Sequence, residues 1–163
     1  MNDKPGREKE VRYGDKVEGQ RDADSFYIVD LPGFGFAKVP EKQRQEWARF
    51  MAEYLSNRKT LKVVFHLVDG RHGPIDEDST IMKQVGESLP RNVAYVVVLT
   101  KADKNVKSSS KKNQGKVSID VINNLRETMR ANKVGNAPII LTSSETKLGR
   151  DDLWRYLRLA AEA

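Results

Sequence analysis

Asp103 closes the tetrapeptide Thr100-Lys101-Ala102-Asp103, which follows the apolar run Tyr95-Val96-Val97-Val98-Leu99. A carboxylate at such a strand end can accept two parallel hydrogen bonds, and guanine offers that pair in its N1–H and exocyclic amine. Adenine offers no such pair and would leave the carboxylate unpaired, at a cost of roughly 1–3 kcal/mol. Lys101 can lay its aliphatic stem over a purine face with its ammonium in water, and Thr100 can brace the loop. A second small-residue turn, Thr142-Ser143-Ser144, follows Ile139-Ile140-Leu141. Its backbone N–H groups can donate to a purine O6, and its small side chains permit close approach. A helix-capping turn ahead of Gly149 is the alternative reading.

A third segment, Asp30-Leu31-Pro32-Gly33, follows Phe26-Tyr27-Ile28-Val29. Here Asp30 would hold Mg²⁺ through water, since Mg²⁺ keeps several waters and takes few carboxylates. The Gly33 N–H would sense a terminal phosphate. In Ras-like GTPases the next residue is a glutamine that orients the attacking water; here it is Phe34, which cannot, so the catalytic group is unknown. All three segments end apolar runs, and ligands of open α/β sheets bind beyond the carboxyl ends of the strands. The sequence contains no G-x-x-x-x-G-K-[ST] phosphate loop. It therefore reads as a GTPase domain whose beginning is missing.

The elements needed to position these segments follow from periodicity. Val11, Tyr13 and Val17 suggest a weak strand, and Gly19 to Asp24 a polar turn leading to a strand from Ser25 to Val29, together a hairpin. A glycine-containing loop spans Phe34 to Val39. Pro40 suits a first helical turn, and Trp47, Phe50, Met51 and Tyr54 then recur at helical spacing, as a core-facing stripe would. Leu61 to Val68 and Val93 to Leu99 read as buried parallel strands. A helix from Asp76 to Ser88 stops before Pro90. Lys104 to Lys116 is a Lys/Ser/Asn/Gly loop. A helix from Val117 to Ala131 turns Val121, Ile122, Leu125 and Met129 to one face. Pro138 to Leu141 is a short strand. Asp151 to Ala161 forms a last helix with Leu153, Trp154, Leu157 and Ala160 inward. This alternation predicts an α/β fold, a P-loop NTPase-like (Ras-like) G domain with a mostly parallel sheet, flanking helices and no first strand.

The 163 residues suit a single domain, carry no cysteine and only two histidines, and have a net charge of +6. Disulfides and thiolate metal sites are excluded, and a zinc site is disfavoured. The positive balance favours an anionic partner, with RNA the first candidate. The first 25 residues are polar, without a signal-peptide pattern, and no apolar stretch approaches a membrane span. A soluble protein with no membrane partner is expected, in bacterial cytoplasm or an organellar stroma or matrix.

Together these residues resemble the EngB (YihA/YsxC) family of TRAFAC-class GTPases, which is linked to large ribosomal subunit assembly. The resemblance is carried by Asp30-Leu31-Pro32-Gly33-Phe34-Gly35-Phe36-Ala37-Lys38-Val39, by Val68-Asp69-Gly70-Arg71-His72-Gly73-Pro74 with Asp78, by Leu99-Thr100-Lys101-Ala102-Asp103-Lys104, and by Ser143-Ser144 with Gly149 to Leu153. It covers roughly residues 26–160 well and the first 25 poorly. It implies GTP or GDP with Mg²⁺ as ligands, the ribosomal large subunit or its rRNA as partner, and GTP hydrolysis as activity. Asp69, Arg71 and His72 have a catalytic reading, beside a preferred one in which they brace the switch region or the loop. Pro5-Gly6-Arg7 is followed by Glu8, where the family carries a Mg²⁺-binding threonine. In the family fold the absent first strand lies between the strands ending at Asp30 and Asp69. Two inner edges would then be unpaired and would close on each other, accept a neighbouring molecule or order poorly. Weak or absent GTP binding by this chain is expected. A nucleotide-independent basic module that docks on rRNA is the competing reading, and the lysine-rich loop motivates it alongside a plain solvated insertion.

Overall fold

The computed structural model describes residues 7–12, 25–31, 41–104 and 117–162. In chain order the elements are β1 (Arg7–Arg12), β2 (Ser25–Asp30), α1 (Glu41–Asn57), β3 (Val63–Asp69), α2 (Asp76–Ser88), β4 (Ala94–Thr100), α3 (Ile119–Ala131), β5 (Ile139–Leu141) and α4 (Arg150–Glu162). Strands β3, β4 and β5 form a parallel sheet in that order, while β1 and β2 form a separate antiparallel pair.

Strand β4 is the centre of the molecule. Its residues Tyr95 to Leu99 are all buried, as a strand covered on both faces requires. On one face, Val68, Tyr95, Val97 and Leu99 pack with Met82 and Val85 of α2, Leu125 and Met129 of α3, and Leu55 of α1. On the other, Val96, Val98 and Ile140 meet Leu153 and Tyr156 of α4, with Tyr156 edge-on to Phe65 at 6.3 Å between ring centres. Truncating a fully buried residue such as Leu125 would cost about 2–5 kcal/mol.

Local chemistry sets the helix ends. Asp76, Glu77 and Asp78 occupy the first turn of α2, where negative charge meets the positive end of the helix dipole. Asp78 Oδ2 also accepts from the Ile75 N–H at 2.9 Å. Ser118 caps α3, its Oγ accepting from the Asp120 N–H at 3.3 Å. Lys133, at φ 61°, turns the chain out of α3.

A polar group on β3 interrupts the core. His66, 7% exposed, lies between Tyr95 and Asp78. Its Nδ1 is 2.6 Å from the Tyr95 hydroxyl and its Nε2 is 2.9 Å from Asp78 Oδ1. A neutral imidazole satisfies both contacts if Nε2–H donates to the carboxylate and Nδ1 accepts from the phenol. Burial pushes the Tyr95 hydroxyl well above the usual phenol range, and the Asp78 carboxylate adds to it. This network pins the start of α2 to β3 and so fixes the connection between Asp69 and Ile75.

Several sequence expectations shift. The first strand covers Arg7–Arg12, includes Val11 and pairs antiparallel with β2, with Arg7 opposite Asp30; Tyr13, Val17 and the turn from Gly19 to Asp24 lie outside the described residues. Among the described α1 side chains Leu55 is the fully buried one, whereas Phe50 is 37% exposed; the helix packs chiefly on α2. Met51 is half-buried on the core, and the Trp47 side chain is not among those described. In α4, Tyr156 joins the contact with the sheet alongside Leu153. The strands β2 and β3 do not bond to each other, so the expected closure of the two inner edges does not occur among the described residues. Tyr27 and Ile28 on β2 and Leu67 on β3 are exposed.

Candidate functional site

The carboxyl ends of β3, β4 and β5 meet in one place, and a set of backbone bonds brings the loops that follow them together. Thr142 N–H donates to Leu99 O at 2.8 Å, Ala102 N–H to Thr142 O at 3.0 Å, and Gly70 N–H to Thr100 O at 2.8 Å. Thr100 Oγ1 donates back to Val68 O at 3.2 Å, which is a bracing role for that hydroxyl. Two glycines permit the stitching. A Cβ at Gly70 would stand 2.5 Å from Thr100 O, and one at Gly149 would stand 2.1 Å from Leu141 O at a φ of +70°. Neither position accepts a side chain without backbone movement.

The tetrapeptide after β4 spreads between its two neighbours. Ala102 is buried and acts as its hinge, while Asp103 points toward β5 and Lys101 toward β3. The Ser143 hydroxyl beside Asp103 holds its carboxyl below the usual range; desolvation opposes this, and the Asp103 N–H and Lys104 reinforce it. Ser143 Oγ accepts from the Thr146 N–H at 3.1 Å, which organises the loop after β5. The Thr142 and Ser143 N–H groups are spent inside the fold, on Leu99 O and Leu148 O. Of the triplet Thr142-Ser143-Ser144, Ser144 is left as the exposed member.

Lys101 departs from the picture of an ammonium lying free in water. Its Nζ is 2.9 Å from Asp69 Oδ2, and its backbone is left-handed at φ 55°. Asp69 is in turn gripped by Arg71, which donates from its backbone N–H at 3.0 Å, from Nε at 3.0 and 3.2 Å, and from Nη2 at 2.7 Å. The Arg71 guanidinium holds the Asp69 carboxyl far below the carboxylate range; desolvation opposes it and Lys101 adds to it. This arrangement was not legible as contacts. Its one signal was a Val-Asp-Gly-Arg run directly after a buried strand.

Asp30 and Leu31 stand apart from this cluster. Asp30 is exposed at the end of β2, which α4 touches along with β3, and Leu31 is half-buried. Pro32 and Gly33, with Phe34 and Phe36, lie outside the described residues, as does the stretch from Asn105 to Lys116 of the lysine-rich loop. Glu8 is a ladder residue opposite Val29. Among the described residues no group of three or more His, Asp or Glu side chains could hold a metal ion, so a cation near Asp30 would need oxygens from a ligand and from water. Among them too, no helix is long and apolar enough to cross a membrane.

Comparison with known proteins gives a consistent answer. The family described as 50S ribosome-binding GTPase matches residues 1–101. The chain is 35% identical over 149 residues to a protein of Symbiobacterium thermophilum, covering 89% of this chain and 57% of that one. It is 34% identical to a protein of Leuconostoc citreum, over 94% of this chain and 70% of the relative. A protein of Listeria monocytogenes serotype 4b is 32% identical over 99% of this chain and 74% of its own length. All three are described as probable GTP-binding protein EngB. The chain thus spans little more than half the length of the first of these relatives.

Proposed function

Since this chain belongs to the EngB family of GTP-binding proteins, we propose that residues 1–163 are one G domain whose base-reading end lies at the carboxyl ends of β4 and β5. Such a family takes GTP or GDP with Mg²⁺ in general. The residues fit the base: Asp103 supplies the acceptor pair for guanine N1–H and amine, Lys101 a stem for the purine face, and Ser144 the N–H of the triplet that is left for O6. The observation that carries this reading is the Ala102 N–H bond to Thr142 O at 3.0 Å, which sets the loop bearing Asp103 beside a turn of small residues.

At the phosphate end the proposal assigns Asp30 to a water-bridged Mg²⁺ and Gly33 to the terminal phosphate. It assigns Glu8 no Mg²⁺ role, because a second carboxylate there would add negative charge beside the triphosphate. The intact protein would hydrolyse GTP and act in assembly of the large ribosomal subunit; the family description and the charge of +6 support this. This sequence carries no phosphate-cradling loop and its lysine, so its affinity for nucleotide is weak, set by the base alone. Binding of mant-GDP to this chain and to a version extended upstream through a phosphate loop tests it. Tight binding by the extended version with only millimolar binding by the present chain supports the proposal. Micromolar binding by the present chain overturns its phosphate half. The charge of +6 also supports the second reading, a nucleotide-independent rRNA module. Salt-dependent rRNA binding without GTP would favour it, and its absence at low salt would end it.

A further inference from the structure

The cluster at the end of β3 has no assigned role, and its geometry says more than a surface ion pair requires. Lys101 Nζ, Asp69 and Arg71 lie in a single chain of contacts at 2.7–3.2 Å. The side chains are 49%, 28% and 34% exposed. Charges this wet contribute little to folding, yet Asp69 accepts from three separate donor groups of Arg71 and cannot swing. Asp69 also pairs in register with Thr100, one residue before the lysine it holds. Lys101 takes a left-handed backbone that a non-glycine residue adopts only when its surroundings impose it. A free lysine has a flexible four-carbon stem, and stacking it on a ring sacrifices rotamer freedom. A lysine whose head group is already fixed has made most of that sacrifice before a ligand arrives.

We infer that Asp69, clamped by Arg71, is a positioning residue of the base site, holding the Lys101 head group so that its stem forms a preset floor for a purine. This rests on the reading of the loop after β4 as the guanine-binding element, and adds to it a determinant from β3. The loop is then fixed from both sides, by Asp69 through Lys101 and by Thr142, whose carbonyl accepts from the Ala102 N–H. Because Asp69 acts on the base end, its effect is the same for a nucleoside as for a nucleotide.

The test is a chemical-shift titration of the ¹⁵N-labelled 163-residue chain with guanosine, GDP and adenosine, carried to millimolar ligand so that weak binding is read directly. Asp69→Asn should weaken guanosine and GDP alike, by about tenfold, and Asp69→Glu should recover part of the loss. Lys101→Ala should cost a similar factor, and the double variant no more than either single one. Arg71→Ala keeps the carboxylate but frees it, and should give a smaller loss; it and Asp69→Glu decide the matter if Asp69→Asn does not fold. Unchanged or tighter guanosine binding by Asp69→Asn, or losses that multiply with Lys101→Ala, overturn the positioning role alone. If the unaltered chain shows no saturable response to guanosine, or the same response to adenosine, the guanine reading falls and takes the positioning role with it.

Discussion

The Ala102 N–H donates to Thr142 O at 3.0 Å, joining the loop after β4 to the loop after β5 and setting Asp103 beside Ser143. Removing the Ser143 hydroxyl has a defined sign. Asp103 is held below the ordinary carboxylate range chiefly by that hydroxyl, so in Ser143→Ala its pKa rises toward the ordinary value of about 4. The carboxyl carbon resonance of Asp103, followed from pH 7 down to about 2, reads this directly. A midpoint unmoved by the substitution would show that the hydroxyl does not act on Asp103 in solution.

Base discrimination should follow from the same carboxylate. Inosine keeps N1–H and loses the amine, so it should bind this chain about tenfold more weakly than guanosine, the worth of one hydrogen bond to a charged acceptor. Asp103→Ala should erase the difference. Competition between the two nucleosides, monitored at the Ser144 amide, checks it; equal affinities in the unaltered chain would remove Asp103 from base reading.

Much of this site was visible in one dimension because it lies on elements with strong periodicity. The helix Asp76–Ser88 has the expected limits, and β4 lies one residue from its expected place. A five-residue apolar run ending in Thr-Lys-Ala-Asp has few alternatives to a buried strand with its loop at the ligand side. What was not visible are contacts made only when strands align. His66 meets Tyr95 across 29 positions and Asp78 across 12, and nothing in a mostly apolar run announces that its histidine is satisfied. Asp69 meets Lys101 only because β3 and β4 pair in register at Asp69 and Thr100. The start of the first strand was not legible for the opposite reason, since Arg7–Arg12 is too charged to show an apolar alternation.

The two left-handed glycines should differ in cost. At Gly149 an added Cβ would fall 2.1 Å from Leu141 O, whereas at Gly73 its nearest contact is Val121 Cγ1 at 3.4 Å. Gly149→Ala should therefore destabilise by about 2 kcal/mol or more through forced backbone movement, and displace the turn from Thr142 to Ser144. Gly73→Ala should cost about 1 kcal/mol from its left-handed φ alone. Urea unfolding of both variants compares them; equal costs would mean that the close approach of Gly149 to Leu141 is relieved elsewhere.

Acid stability should report Asp69. Its folded-state pKa is lowered, first by Arg71 and then by Lys101. A lowered carboxylate contributes stability that is present above its unfolded pKa of about 4 and lost as pH falls below that value. Asp69→Asn carries no such titration. Its stability should fall less steeply than that of the unaltered chain as pH drops below about 4. The difference should be modest, since the side chains are partly exposed; parallel urea midpoints for the two proteins across that window would show that the pair adds nothing measurable to folding.

The buried His66–Tyr95 contact makes a prediction at the other end of the pH scale. Tyr95→Phe keeps the ring in the core but removes the hydroxyl that stands 2.6 Å from His66 Nδ1. The nitrogen is then a buried acceptor without a donor, which costs about 1–3 kcal/mol at neutral pH. Above pH 10 the comparison changes. Burial raises the Tyr95 pKa in the folded chain, so the unfolded chain releases this proton first, near pH 10. The stabilising effect of keeping the phenol neutral is complete below that value and is lost as pH rises through the interval between the unfolded and folded pKa. Phenylalanine has no proton to lose, so the stability gap between the two proteins should narrow steadily above about pH 10. A gap that stays constant there, measured by denaturant unfolding at matched ionic strength, would show that Tyr95 is solvated enough to ionise in the folded chain.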